Sequence, residues 1–109
     1  MRPTHAPRGH DQEGVRPAVV VGLPERAGQP RFSTLLVIPL TTQEGTWSRK
    51  APQLYPRLRA GVGGLPRPSI ALLDQVRSID PRRVSSYLGS LTGKEFQTIS
   101  EGLKKIFGF

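Results

Sequence analysis

The sequence predicts a mainly β domain of the α+β class: a small barrel or sheet of short strands, with one helix packed across it. Two observations support this prediction. Short β-branched and aliphatic runs alternate with proline and glycine clusters, which is typical of strands joined by turns. The C-terminal residues instead repeat apolar side chains at helical spacing. A length of 109 residues suffices for one compact domain but not for two, so we expect a single domain over 1–109.

The N-terminal half contains two predicted strands. Residues 1–16 hold prolines and glycines among polar neighbours, and they predict extended or loop-forming chain. The first apolar run, residues 18–22, lies between a proline and a turn cluster. The second run covers residues 32–40, and Thr41 follows at its end. The β-branched composition of both runs indicates strands that are buried in the sheet.

The C-terminal half begins with an irregular segment. Residues 44–68 mix prolines with basic side chains, which predicts a long loop or a loosely paired edge hairpin. Residues 69–73 predict a third strand. We expect this strand to continue through residues 74–79, where one polar and one apolar face are indicated.

The clearest local prediction is a helix over 92–107. Thr92 and Glu95 have the spacing of a capping box, in which each side chain accepts a hydrogen bond from the other residue's backbone N–H. Gly108 follows as a helix stop. One face of the helix is apolar, and we expect it in the core or at a dimer contact: Phe96, Ile99, Leu103 and Ile106.

The composition restricts the possible partners and compartments. Sixteen Lys and Arg against eight Asp and Glu leave a net charge of +8, which favours a polyanionic partner, although a solvated arginine-rich surface explains it equally well. The absence of cysteine excludes disulfides, zinc knuckles and thiol catalysis. No apolar run has the length of a signal peptide or a membrane span. We therefore expect a cytoplasmic protein that does not contact a membrane.

Three segments, in matching order and spacing, resemble the MazF/PemK family of small toxin endoribonucleases from type II toxin–antitoxin systems. In residues 7–21, a Gly, an acidic residue, a Gln and a Gly precede an Arg-Pro pair and an apolar strand. Residues 37–43 contain a strand that ends in Pro-Leu-Thr. The third segment comprises residues 64–69 and 71–80, followed by 88–92 and the terminal helix. Each segment alone is a weak signal, and the resemblance rests on the occurrence of all three in the same order.

The resemblance implies an SH3-like barrel that forms a homodimer and binds single-stranded RNA in a groove at the dimer interface. It implies cleavage of RNA, including mRNA, at short specific sequences, which inhibits translation and growth. It also implies a cognate, MazE-like antitoxin that occupies the same surface. Operator DNA would be a ligand of the toxin–antitoxin complex.

The resemblance assigns catalytic roles to three residues. Arg16 matches an essential arginine whose planar guanidinium suits the oxygens of a phosphorane; otherwise it reads as a surface arginine. Thr41 matches a catalytic threonine at a strand end, where threonine otherwise caps the strand. Asp11 stands where the family has an acidic residue, usually Glu, and can orient Arg16 or accept a proton. The neighbouring His10 is either a further acid or base, or an exposed loop histidine.

Polar and aromatic side chains provide candidates for RNA binding. Four of them can read base edges: Gln12, Gln43, Gln75 and Arg77. Gln75 and Arg77 can equally be structural or part of a dimer contact. Trp47 and Tyr55 lie in the basic segment, either as a platform for stacking bases or as anchors of the fold. Carboxylates and histidines show no metal-ligand spacing, so we expect no metal and no cofactor. Cleavage of RNA is possible without a metal ion, because the 2′-hydroxyl of RNA can itself attack the adjacent phosphorus.

The N-terminus departs from the family pattern. The family opens with a strand before the Gly-acidic-Gln-Gly loop, whereas only residues 1–6 precede that loop here. We therefore expect the first strand to be missing and the edge of the 18–22 strand to be unpaired. This leaves two alternatives open. One is a truncated, inactive relative that binds antitoxin or nucleic acid, and the other is a CcdB-like gyrase-binding toxin, against which Arg16 and Thr41 argue.

Overall fold

The computed structural model describes residues 2–5 and 16–109 of the chain. Strands and α-helices in this part are β1 Arg2–His5, β2 Pro17–Gly22, β3 Leu35–Thr41, α1 Thr46–Lys50, β4 Arg57–Leu58, β5 Ser69–Ala71, β6 Arg77–Ile79 and α2 Gly93–Phe107. Single turns of 3₁₀-helix lie at Pro24–Arg26, Val62–Gly64, Leu73–Gln75 and Pro81–Arg83.

The strands form one antiparallel sheet in the order β1-β2-β3-β5-β4. β6 pairs with the first half of β3, and β5 pairs with its last two residues, so that β3 is the centre of the sheet. β1 lies against the turn that follows β4. Among the described residues β1 and β4 do not pair, so the sheet bends round without closing. The prediction of a mainly β fold with a C-terminal helix is confirmed.

The prediction of a missing first strand is wrong. β1 pairs antiparallel with β2 along its whole length, from Arg2 opposite Val20 to His5 opposite Pro17. The edge of β2 is therefore covered by backbone hydrogen bonds. The sequence of β1 lacks apolar alternation and contains Pro3. An edge strand tolerates proline because the N–H that proline lacks is not needed on the open side. Pairing with β2 specifies this strand, and composition alone does not reveal it.

The two faces of the sheet pack into two apolar clusters of different size. Alternate residues of β2 and β3, Val19, Ile38 and Leu40, join the larger cluster together with Leu73 and Ile99. The intervening residues form the smaller cluster, in which Ala18, Val37 and Ile79 are buried and Val20, Leu35 and Val84 are partly buried. This division follows from the two-residue period of a strand.

The predicted third strand is interrupted in its middle. β5 ends at Ala71 and β6 begins at Arg77, and the 3₁₀ turn Leu73–Gln75 lies between them. Leu73 is fully buried, and its N–H donates to the carbonyl of Leu54 at 3.3 Å. The turn carries the chain from one half of β3 to the other, which is why a single strand cannot cover this stretch.

The C-terminal helix begins with the predicted capping box. Thr92 Oγ1 accepts from the Glu95 N–H at 3.1 Å, and Glu95 Oε1 accepts from the Thr92 N–H at 2.8 Å. Gly108, with a φ of 80°, ends the helix in the left-handed conformation that favours glycine. Ile99 is buried in the core, with two predicted partners beside it: Phe96 and Leu103. Ile106 is 44% exposed and does not join the core, so its predicted place there is wrong and a dimer contact stays a prediction.

Candidate active site

The register of β2 and β3 brings together the ends that carry Arg16 and Thr41. Val19 pairs with Ile38 and Ala18 pairs with Pro39. Continuing this register by two residues sets Arg16, directly before β2, opposite Thr41, the last residue of β3. Residues that face each other across antiparallel strands have Cβ atoms roughly 4.5–5.5 Å apart. The last pair of this register is Ala18 with Pro39, and its extension predicts that the two candidate catalytic residues are cross-strand neighbours.

Strand alternation also assigns these residues to one face of the sheet. Arg16 and Thr41 extend the rows that contain Ala18 and Val37, which belong to the smaller cluster. Arg77 pairs with Val37 on the other side of β3 and is exposed. Four residues of strand separate Val37 from Thr41, a distance on the order of 13 Å. Two cationic side chains thus lie on the face of the smaller cluster, one beside Thr41 and one further along β3.

The Thr41 hydroxyl is oriented by a tight turn. Its Oγ1 accepts a hydrogen bond from the Gln43 N–H at 3.1 Å, which is the contact of a Ser/Thr turn. A hydroxyl that accepts one hydrogen bond still has its own hydrogen to donate. Thr41 is half-buried and Gln43 is exposed, so the site is open to a large ligand.

Gln75 lies at the end of a turn that is fixed by aromatic side chains. The preceding residue, Asp74, accepts a hydrogen bond from Tyr55 Oη at 2.7 Å, and this bond raises the pKa of the Tyr55 hydroxyl. Trp47 packs edge-on against Tyr55, with 4.9 Å between ring centroids. Of the two hypotheses for these aromatics, anchoring of the fold agrees with the observed contacts. Gln75 itself is exposed.

An ion pair that the sequence did not predict lies in the same row of the sheet as Thr41. Arg57 forks onto both carboxylate oxygens of Glu44, with 2.8 Å from Nη1 to Oε2, and Arg49 approaches the same carboxylate at 3.7 Å. Hydrogen bonding to Arg57 lowers the pKa of Glu44. Arg57 is opposite Ile70 on β5, and Ile70 is opposite Thr41. The spacing of residues in the sequence could not have revealed the pair, because the path of the loop between Glu44 and Arg57 brings the two side chains together.

The remaining predicted site residues lie outside the described residues. Asp11, Gln12 and His10 fall in the segment between β1 and Arg16, so their roles stay predictions. Over residues 2–5 and 16–109, His, Asp and Glu side chains form no group of three that could hold a metal ion. Neither helix in this part of the chain has the length and apolarity to cross a membrane.

The comparisons with known proteins agree on one family. A family model described as PemK-like, MazF-like toxin of type II toxin–antitoxin system matches residues 2–107. No curated protein sequence matches the chain. Two solved structures share its fold. The first, an endoribonuclease in complex with its cognate antitoxin from Mycobacterial species, has a TM-score of 0.72 at 16% identity over 99% of this chain and 92% of that one.

The second structure is the Mycobacterium tuberculosis toxin MazF-mt6. It has a TM-score of 0.69 at 21% identity over 99% of this chain and 98% of that one. At these identities the likeness concerns the fold, whereas the family match rests on the sequence. Since this match covers nearly the whole chain, the protein belongs to the family of PemK-like, MazF-like toxins of type II toxin–antitoxin systems.

Proposed function

We propose that this toxin is an endoribonuclease that cleaves single-stranded RNA, including mRNA, without a metal ion and thereby inhibits translation and growth. The observation that supports the proposal most is the β2–β3 register, whose extension beyond Ala18 and Pro39 predicts Arg16 opposite Thr41. A guanidinium and a hydroxyl at the same open strand ends suit a phosphate group with developing charge. The family match and the net charge of +8 also support it.

The proposed reaction uses a nucleophile that RNA itself supplies. The 2′-oxygen forms a bond to the adjacent phosphorus, and the bond from phosphorus to the 5′-oxygen of the next nucleotide breaks. The products are a 2′,3′-cyclic phosphate and a 5′-hydroxyl end. The protein has to accept the 2′-hydroxyl proton, donate a proton to the leaving oxygen and stabilise charge on the phosphorane.

The candidate residues divide these roles among them. The Arg16 guanidinium binds the non-bridging oxygens, and the Thr41 hydroxyl donates a hydrogen bond to the same phosphate. Asp11 orients Arg16 or accepts the proton. The RNA strand continues over the same face towards Arg77, and its base edges are read by three amides: Gln12, Gln43 and Gln75.

The proposed partners follow from the same surface. An acidic, MazE-like antitoxin covers the Arg16 and Thr41 face and so blocks RNA, and the complex binds operator DNA. The toxin acts as a homodimer in the cytoplasm. The idea of an inactive relative rested on a missing first strand, and β1 removes that reason.

Cleavage of a long unstructured RNA in the presence of EDTA tests the proposal. We expect discrete products with 5′-hydroxyl ends from the wild-type protein. Arg16→Ala should lower the rate on the order of 10²- to 10³-fold, as loss of a transition-state donor does in other enzymes. Arg26→Ala, which removes an exposed arginine beyond the opposite end of β2, is the matched control and should cleave normally.

Two results would contradict the proposal. Intact RNA after incubation with folded wild-type protein would favour a relative that binds without cleaving. Equal rates for Arg16→Ala and Arg26→Ala would remove Arg16 from the mechanism.

A further inference from the structure

A cleft of about 610 Å³ lies between the segment that precedes β4 and the C-terminal turns of α2. Gly102 lies where the helix meets this segment, because a Cβ atom there would lie 2.6 Å from the Gln53 carbonyl oxygen and 2.3 Å from Leu73 Cδ1. The segment and the helix therefore pack closely at this point, and both Gly102 and Gln53 line the cleft.

The walls of the cleft carry more positive than negative charge. Among the described residues, Arg57, Lys104 and Lys105 line it together with one acidic side chain, Glu101. Lys105 Nζ donates to Gln53 Oε1 at 2.8 Å, so this ammonium is held in position by a neutral partner. Arg57 is fixed by its bidentate contact with Glu44. Because Glu44 offsets the charge of Arg57, Lys104 and Lys105 are the cations that the cleft offers to a polyanion.

An aromatic ring stands beside these cations. Phe109 lines the cleft and is 93% exposed, and its ring contacts only the neighbouring ring of Phe107, at 6.0 Å between centroids, among the described aromatic side chains. An open aromatic face among lysines is the arrangement with which proteins stack the bases of single-stranded nucleic acid and bind its phosphates.

The cleft is connected to the candidate active site through the sheet. Thr41, Ile70 and Arg57 form one row across β3, β5 and β4. Two strand spacings, about 10 Å, separate the ends of this row. Arg57 is also a wall of the cleft. Because α2 covers the opposite face of the sheet, a strand that is bound at Thr41 reaches the cleft by passing Arg57 at the β4 edge.

We propose that this cleft binds a segment of single-stranded RNA that flanks the cleaved phosphate. A base stacks on Phe109, and the neighbouring phosphates contact Lys104 and Lys105. The proposal rests on the proposed endoribonuclease function and adds a subsite to it. An acidic peptide would also match the charges, but the connection to Thr41 and the exposed ring favour RNA.

The four lysines of the chain provide a matched test of the phosphate contacts. Two line the cleft, and the other two, Lys50 and Lys94, are exposed elsewhere. Binding is measured by fluorescence anisotropy with labelled 2′-O-methyl RNA, which lacks the nucleophile and is not cleaved. The plot of log K against log salt has a negative slope, to which each phosphate contact contributes roughly 0.7 in magnitude. For the double variant Lys104→Ala/Lys105→Ala, which loses two contacts, the magnitude of the slope should decrease by about 1.4. Lys50→Ala/Lys94→Ala should leave the slope near that of the wild type.

Phe109 provides the matching test of base stacking. Phe109→Ala should weaken binding of a long strand about five- to a hundred-fold, the range of a lost base–aromatic contact, and Phe109→Trp should restore it. RNA strands of about 4 and about 16 nucleotides are compared, because only the longer one can fill both the site at Thr41 and the cleft. Phe109→Ala should therefore weaken binding of the longer strand. Phe32→Ala, which removes another exposed ring, is the control and should not change the affinity.

The outcomes separate this proposal from the proposed function. If the wild-type protein cleaves RNA but the cleft and control variants bind the long strand equally, the cleft proposal is overturned and the endoribonuclease stands. If the cleft variants keep their RNA affinity but lose affinity for an acidic antitoxin peptide, the cleft is a peptide site and the proposal is again overturned. If the wild-type protein neither binds nor cleaves RNA, both proposals are overturned.

Discussion

The two faces of the β2–β3 sheet differ in packing and in chemistry. One face is covered by α2 and contains the larger cluster, in which Ile38, Leu73 and Ile99 are completely buried. On the other face, the smaller cluster contains three buried residues in the described part of the chain, and the rows that contain them extend towards Arg16, Thr41 and Arg77. Successive residues of the same strands thus serve the core and the candidate site.

Because the two faces have different roles, stability and activity can be changed separately in this very small domain. Burial of the larger cluster supplies most of the apolar free energy of folding, since that term grows with buried apolar area. The face with the candidate site keeps polar groups open to a ligand, at the expense of buried area. We therefore expect substitutions on the two faces to fall into different classes.

The largest expected effect is loss of stability from Ile99→Ala. Truncation of a buried isoleucine costs about 2–5 kcal/mol of unfolding free energy, and the complete burial of Ile99 indicates the upper part of that range. Ile79→Ala makes the same deletion in the smaller cluster and should cost nearer about 2 kcal/mol, because fewer neighbours surround it. Urea unfolding measures both. Equal losses would show that the two clusters contribute equally to the free energy of unfolding, which would contradict the expected difference between the two faces.

The next effect is loss of activity without loss of stability, from Thr41→Val. The variant keeps the shape of the side chain but removes the hydroxyl that is proposed to bind the phosphate. A hydrogen bond to a charged group is worth about 1.5–3 kcal/mol, so RNA cleavage should slow about ten- to a hundred-fold. The lost contact with the Gln43 N–H is exposed, so stability should change by about 0.5 kcal/mol or less.

Thr41→Ser is the control for this prediction, because it retains the hydroxyl and should retain most of the activity. Thermal unfolding of both variants checks that the fold is intact. Full activity of folded Thr41→Val would show that the hydroxyl takes no part in cleavage and that Thr41 does not act together with Arg16.

The sequence was sufficient where local rules specify the structure. The Thr92 and Glu95 capping box, the glycine stop and the two central strands follow from spacing and composition within a few residues. The likeness of Arg16 and Thr41 to the family motif identified two candidates, and the extension of the β2–β3 register predicts that they are neighbours.

Features that depend on contacts between distant segments were missed. β1 is specified by its pairing with β2, and the Glu44–Arg57 ion pair forms across a loop. The break at Leu73–Gln75 exists because the chain changes from one half of β3 to the other. These features depend on tertiary structure, which spacing within one segment does not encode.

A smaller effect on stability is expected from Thr92→Ala at the start of α2. Loss of an N-cap hydroxyl costs about 0.5–2 kcal/mol, here through the bond from the Glu95 N–H. Because α2 packs on the face of the larger cluster, RNA cleavage by the folded protein should not change. Chemical unfolding and a cleavage assay on the same sample test this, with Thr92→Ser as the control. A clear fall in the cleavage rate of Thr92→Ala at full folding would show that the two faces are coupled.

The smallest expected effect is a pH dependence of stability from Asp80, which follows β6 beside the smaller cluster. Its carboxylate accepts from the side chain and the N–H of Arg82, and these bonds lower its pKa from 3.8 to about 2. Because the pKa is lowered in the folded state, the contribution is complete above about pH 4 and is lost as the pH falls towards 2. The difference in melting temperature between the wild type and Asp80→Asn should therefore be small and constant near neutral pH and shrink below pH 4. A difference that stays constant down to pH 2 would show that the ion pair with Arg82 does not stabilise this side of the sheet.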